Sequence, residues 1–244
     1  MKEYIADYFL TAGECTPEGT IPVTLLANRI IETATFHANI LGVGYENLIT
    51  NGMAWVLSRM SIEMRNWPKV NRKYSLRTGV ESYNRHFSER NFEITDENGG
   101  LLGYARTVWM TINLTTRQSG QLDGMEKLAE SVSDRPCLMD KCPRFAPLSA
   151  DTDKSGEYTF RYTDCDFNRH VNTVRYMELL LNQWTLDFHD AHRTERFDIA
   201  FMRESYFGET VEVLVKETEP DAFRCEIVGP GGPCVRAAIT YRKL

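Results

Sequence analysis

Residues 162–189 read Tyr162-Thr163-Asp164-Cys165-Asp166-Phe167-Asn168-Arg169-His170, then Val171-Asn172-Thr173-Val174-Arg175-Tyr176-Met177-Glu178-Leu179-Leu180-Leu181-Asn182-Gln183-Trp184-Thr185-Leu186-Asp187-Phe188-His189. Val171, Val174, Met177, Leu181, Trp184 and Phe188 recur at steps of three and four, which is one apolar face of an α-helix and predicts a helix over 171–189. A polar cluster therefore sits at a helix N-terminus. Asp166, Asn168 and His170 alternate with Phe167 and Arg169, so an extended lead-in would project the three polar side chains to one side, near unpaired backbone N–H donors. A capping role alone would account for Asp166 or Asn168. A carboxylate, an amide and an imidazole within five residues are more than a cap requires.

Outward from this stretch the chain repeats its organisation. Pro22 suits a first helical turn, and Val23, Leu26, Ile30, Ala34, His37 and Leu41 give a helical face of about 20 residues ending at Gly42-Val43-Gly44. A strand over 3–12 precedes it, and strands over 54–64, 73–83, 87–95 and 101–113 follow, with Asp96 to Gly100 as a hairpin turn. From Thr116 to Gly156 the pattern breaks down around Pro136, Pro143 and Pro147, with a short helical patch near Met125 to Val132. A strand over 157–162, the helix over 171–189 and strands over 197–204, 210–217, 223–228 and 234–242 complete the chain. Both halves read strand, long helix, four strands. This predicts an α+β fold in which each helix buries its apolar stripe on an antiparallel sheet. The expected division is 1–115, a linker over 116–156, and 157–244.

Bulk properties narrow the function. A chain of 244 residues can bury a real core in one or two domains, and its composition is that of a globular protein. The net charge of -6 argues against nucleic acid as the main partner. No apolar run reaches the roughly 18 residues of a membrane span, and the N-terminus carries acids where a signal peptide needs an apolar core, so a cytoplasmic location is expected. Cys15, Cys137, Cys142, Cys165, Cys225 and Cys234 form no Cys-x-x-Cys pair and have no histidine at ligand spacing, so neither a metal site nor a disulfide framework is expected.

The segment Asp166-Phe167-Asn168-Arg169-His170-Val171-Asn172-Thr173-Val174-Arg175-Tyr176 resembles the active-site segment of plant-type acyl-acyl-carrier-protein thioesterases. Further stretches agree in order: Leu25 to Leu41, Trp55 to Met60, Val108-Trp109-Met110 with Asn113 to Arg117, and Met202-Arg203-Glu204-Ser205. The resemblance implies two tandem hot-dog folds, hydrolysis of acyl-carrier-protein thioesters to free fatty acids, and no cofactor or metal. It puts Asp166, Asn168, His170 and Glu204 on the catalytic positions of the C-terminal half, and the acyl pocket in the N-terminal half.

A thioester is an activated acyl group whose thiol, of pKa near ~8.5, leaves readily. Hydrolysis mainly needs a water, an oxyanion site and a dry pocket. On this reading Asn168 and His170 hold and polarise the thioester, Glu204 is the general base, and Asp166 fixes the geometry. Backbone N–H groups at the helix start are expected to stabilise the oxyanion. Many family members carry Cys after this glutamate, and here the residue is Ser205, which favours attack by water over a covalent route. Met53, Trp55 and Met60 are expected to contact the acyl chain, with core packing as the alternative for each. An acyl-coenzyme A thioesterase on the same fold, a hot-dog dehydratase and a non-catalytic acyl-binding module remain rivals. Acyl carrier protein is acidic, so its recognition requires a local basic patch, expected among Arg65, Lys69, Arg72, Lys73 and Arg77, with Arg169 or Arg203 near the site. A homodimer is compatible with the sequence.

Overall fold

Why the chain forms two helix-and-sheet units follows from where its apolar residues fall. A computed structural model describes residues 1–84, 86–120, 126–148 and 152–244. It forms two compact units, Met1–Lys141 and Cys142–Leu244.

In the first unit, strand β1 (Glu3–Phe9) leads through a short 3-10 turn and a tight loop to helix α1 (Val23–Ile40). Pro22, extended at ψ 143°, stands immediately before the helix, and Gly42 at φ 73° ends it. A five-residue helix α2 (Tyr45–Ile49), which the sequence pattern did not suggest, follows. Strands β2 (Met53–Met64), β3 (Lys73–Tyr83), β4 (Phe87–Asp96) and β5 (Leu101–Asn113) then pair antiparallel in the order β1-β3-β4-β5-β2. The β4–β5 hairpin closes as expected: Asp96 Oδ1 accepts the N–H groups of Asn98 and Gly100, and Gly99 sits at φ 81°. Leu26, Ala27, Ile30 and Ala34 of α1 are buried, as are Ile62, Met64, Leu76, Phe92 and Ile94 of the sheet.

One register detail decides which residues share a face. Leu57 pairs with Trp109 and Arg59 with Val108, so Ser58 is an extra residue on β2. Strict alternation would put Met60 on the face opposite Met53 and Trp55. The bulge restores it to theirs.

The helical patch expected near Met125 to Val132 is α3 (Glu126–Glu130), with Leu128 buried in a cluster with Ala38, Leu41, Val43 and Val80; Met125 lies outside the described residues. Beyond it the chain lies against its own sheet. Ser133 donates its N–H to the Val80 carbonyl at 2.8 Å, and Asn91 Nδ2 donates to the Arg135 carbonyl at 3.1 Å.

The second unit repeats the order with β6 (Lys154–Thr159), helices α4 (Thr173–Leu181) and α5 (Leu186–Ala191), and strands β7 (His192–Phe201), β8 (Thr210–Glu219), β9 (Ala222–Gly229) and β10 (Gly232–Lys243). The strands pair antiparallel as β6-β8-β9-β10-β7, the same order as in the first unit. Two expectations are corrected here. The single helix over 171–189 is broken at 182–185, where Thr185 restarts it as an N-cap, its side chain accepting the Phe188 N–H. Trp184 in the break turns inward against Phe223, Tyr241 and Phe188, and this aromatic packing competes with helical continuity. The strand expected to end at Glu204 ends at Phe201, so Glu204 stands in the following loop.

The first unit also buries an unusual polar pair. His37 of α1 is fully buried and its Nδ1 accepts from Arg90 Nη1 of β4 at 2.9 Å. Burial, and then the neighbouring guanidinium charge, push the His37 imidazole down to about 4. A histidine depressed in the folded state stabilises the fold while neutral. That contribution is complete above the unfolded value of about 6.5 and is lost as pH falls through about 4. Between those limits the wild-type protein should lose about 3 kcal/mol more stability than His37→Gln, read by urea unfolding at a series of pH values. Parallel pH profiles for the two proteins would contradict it.

Candidate active site

The polar cluster of the sequence folds as a tight hairpin loop. Cys165 and Val171 form an antiparallel bridge, Asp166 N–H donates to the His170 carbonyl at 2.8 Å, and Arg169 N–H returns to the Asp166 carbonyl at 3.0 Å. Arg169 occupies the left-handed region at φ 66°. This is the hydrogen-bond pattern of a three-residue hairpin loop whose last residue is left-handed. The expected extended lead-in is thereby corrected. Asp166 turns inward instead, its Oδ1 accepting the N–H groups of Asn168 at 2.8 Å and His170 at 3.3 Å.

Three of the backbone donors near the helix start are engaged within the fold. Val171 N–H goes to the Ser205 carbonyl, Asn172 N–H to the Asp164 carbonyl, and Val174 N–H to Asn172 Oδ1, the N-cap of α4. Asn168 is exposed, and its carboxamide has no hydrogen-bond partner among the described residues.

What joins the loop to the segment after β7 is backbone pairing. The Val171–Ser205 hydrogen bond of 2.9 Å and an antiparallel bridge between His170 and Tyr206 hold the two segments side by side. Glu204 therefore stands beside His170, with Oε1 3.4 Å from Nδ1. Tyr206 packs edge to face on the imidazole at 5.2 Å, and its hydroxyl lies 3.5 Å from Glu204 Oε2. The sequence reading missed Tyr206. Its only signal is position, two residues beyond Glu204, and that carries meaning only once the bridge is known.

Ser205 is fully buried. Its N–H donates to Tyr176 Oη at 3.0 Å and its Oγ to Cys234 Sγ at 3.2 Å. Burial raises the Tyr176 hydroxyl to about 12, so it stays a neutral phenol. Ser205 is an internal strut. No group of three or more metal-ligating side chains is present among the described residues.

The first unit carries the same loop with different side chains. Thr16 N–H donates to the Thr20 carbonyl at 2.8 Å, Gly19 N–H to the Thr16 carbonyl at 2.9 Å, and Gly19 sits at φ 71°. Thr20 bridges Lys69 as His170 bridges Tyr206. Each loop position lies 150 before its counterpart, so Thr16, Glu18 and Thr20 stand where Asp166, Asn168 and His170 stand in the second unit. The backbone is retained and the amide and imidazole are not.

The three residues expected to contact an acyl chain share one face of the first sheet. Met53, Trp55 and Met60 lie opposite Asn113, Thr111 and Thr107. Met60 is fully buried, whereas Met53 and Trp55 are half-buried, and Trp55 Nε1 donates to the Val43 carbonyl at 2.8 Å. Trp109 shares the face, with its Nε1 donating to Thr107 Oγ1 at 2.8 Å.

The expected basic patch is thinner than its sequence suggests. Arg77 pairs with Glu3 and Glu93 at 3.2 and 3.6 Å, and Arg72 with Glu97 at 3.2 Å. Arg65, Lys69 and Lys73 are exposed. In the second unit Arg161, Arg169 and Arg203 are exposed within the segments that carry His170 and Glu204, together with Phe167, Tyr162 and Phe207.

With this geometry in view, comparison with known proteins is informative. The acyl-ACP thioesterase N-terminal domain matches residues 1–124, and the acyl-ACP thioesterase C-terminal domain matches 148–243. The chain is 31% identical to an acyl-ACP thioesterase from Bacteroides thetaiotaomicron, with a TM-score of 0.92 over 99% of this chain and 98% of that one. It shares the tandem hot-dog fold of the 12:0-ACP thioesterase from Umbellularia californica at 16% identity, TM-score 0.90, over 100% of this chain and 98% of that one. A chloroplastic palmitoyl-acyl carrier protein thioesterase from Gossypium hirsutum is 24% identical over 81% of this chain and 51% of its own length. The chain spans about half the length of the first curated relatives it matches.

The loop geometry itself is testable without any substrate. Asp166→Ala removes both side-chain acceptor bonds and should destabilise the protein by about 1–2 kcal/mol, whereas Asp166→Asn keeps an acceptor oxygen and should lose less than about 1 kcal/mol. Thermal or urea unfolding checks this. Equal losses would mean that Asp166 does not hold the turn.

Proposed function

We propose that this chain, which belongs to the acyl-ACP thioesterase family, hydrolyses acyl thioesters carried on acyl carrier protein and releases free fatty acids, ending chain elongation. The observation that carries the reading is that backbone pairing sets Glu204 beside His170, on the loop that also bears Asn168, whose carboxamide has no hydrogen-bond partner among the described residues. In this assignment the catalytic work falls to the C-terminal hot-dog, about 157–244, and acyl-chain binding to the N-terminal one, about 1–115.

The chemistry divides as follows. Asn168 Nδ2 donates to the thioester oxygen and to the oxyanion that replaces it. Glu204 takes a proton from water as the water oxygen bonds to the carbonyl carbon. The tetrahedral intermediate collapses, the carbon–sulfur bond breaks, and the proton held by Glu204 passes to the departing thiolate. His170, with Nδ1 toward Glu204 and its ring held by Tyr206, orients the water and polarises the carbonyl. Asp166 keeps Asn168 and His170 in register. Burial of Ser205 supports direct attack by water, because a nucleophile must reach the substrate.

Asn168→Ala should lower kcat by about 10²–10³, and Glu204→Ala and His170→Ala by about 10²–10⁴, with unfolding transitions kept. Near-wild-type turnover in either of the last two would sink the assignment. No acyl group should be found on Ser205 or any cysteine by mass spectrometry after quenching in turnover.

The carrier is recognised, on this reading, by the exposed Arg161, Arg169 and Arg203 beside Phe167 and Phe207, with Arg65, Lys69 and Lys73 as the second basic group. Activity on acyl carrier protein substrates should fall steeply as ionic strength rises past about 0.1 M, where the Debye length is about 10 Å. Reversing Arg169 and Arg203 to Glu should raise KM on the carrier substrate far more than on acyl-coenzyme A. Equal efficiency on both carriers, indifferent to those reversals, would assign the enzyme to coenzyme A thioesters.

A further inference from the structure

Across the first sheet, Val80, Arg90, Thr107 and Met60 stand side by side in one row, on the face that carries Trp55 and Trp109. All four are buried, with 0%, 5%, 1% and 0% of their surface exposed. Three of them suit an apolar interior. Arg90 does not. A guanidinium out of water normally has a carboxylate beside it, because an isolated buried charge is costly. Among the described residues Arg90 has instead a single hydrogen bond, to the neutral His37 Nδ1 at 2.9 Å. His37 is fixed in turn by stacking on Tyr4 and by the Met1 carbonyl, 3.4 Å from Nε2. Burial lowers the guanidinium to about 10, which leaves it charged at neutral pH.

The rest of the face grades outward from this row. Leu57 and Trp109 come next, then Trp55 with Thr111, then Met53, and Leu57, Trp109, Trp55 and Met53 are half-buried. The Thr111 row and the Thr107 row are four residue steps apart along β5, about 14 Å of strand, the span of a medium-length acyl chain.

We infer that Arg90, held by His37, is the floor of the acyl site and sets the longest chain the enzyme accepts. The inference rests on the proposed acyl thioesterase activity and names the residue that limits its substrate. Methylenes can replace one another along an apolar wall, whereas a chain one step too long must displace a charge that has no second partner among the described residues. Acceptance should therefore end abruptly rather than fade, and a row made wholly of Val80, Thr107 and Met60 would set no such limit.

The test is a panel of saturated acyl-carrier-protein substrates of increasing length, assayed with the unsubstituted enzyme, Arg90→Met and Arg90→Lys. With the unsubstituted enzyme kcat/KM should rise with length and then drop sharply at one two-carbon step. Arg90→Met should move that step to longer chains, raising kcat/KM on the first excluded substrate by about tenfold relative to the preferred one, the value of roughly two buried methylenes. Arg90→Lys should keep the original limit. An unmoved limit in a folded Arg90→Met protein, or the same shift in Arg90→Lys, would overturn the inference. Should Arg90→Met not fold, a gradual decline with length in the unsubstituted enzyme would overturn it by itself. Absence of hydrolysis at every length would be a failure of the proposed activity, and is distinguishable because no length limit could then be read.

Discussion

A single backbone hydrogen bond, from the Val171 N–H to the Ser205 carbonyl, is the constraint on which the candidate site depends. It closes a ladder between the loop before α4 and the loop after β7, and so brings His170 to Glu204 across 33 intervening residues. Neither side chain could be placed by its neighbours in sequence. Ser205 secures the ladder from below through Tyr176 and Cys234, which is why the residue after the glutamate is buried rather than presented to substrate.

The loop has a second copy, and the comparison between the copies separates folding from chemistry. Both units bond the first loop residue to the last and put the fourth in a left-handed conformation. In the first unit that fourth residue is Gly19, which adopts the conformation without strain. In the second it is Arg169, at a steric cost of about 1–2 kcal/mol for an L-residue. The strained copy is the one with the amide and the imidazole. Strained backbone conformations cluster at functional sites, and here the strain falls in the copy that bears the candidate residues.

Polarity is distributed unevenly in the first unit as well. Its sheet is largely apolar on the buried face, yet Arg90 and His37 are placed deep within it. Burial, and then the guanidinium charge, keeps the imidazole neutral, and among the described residues no carboxylate pairs with the guanidinium, so this pair raises specificity questions that stability alone would not require.

The sequence by itself determined the helix-and-sheet order of both halves, because periods of 3.6 and 2 are local consequences of burying one face. It also determined that Asp166, Asn168 and His170 lie together, since five residues cannot separate far. Their hydrogen-bond partners were not legible. Asp166 accepts the N–H groups of Asn168 and His170, and the N–H groups of Val171 and Asn172 pair with the Ser205 and Asp164 carbonyls, because hydrogen-bond partners are chosen by three-dimensional closure rather than by spacing. Only the tertiary structure decided that the second helix breaks where Trp184 finds an aromatic cluster, that one extra residue at Ser58 turns Met60 onto the face of Trp55, and that Tyr206 packs on His170. Each of these rests on contacts between residues distant in the chain, and their energies are absent from any local pattern.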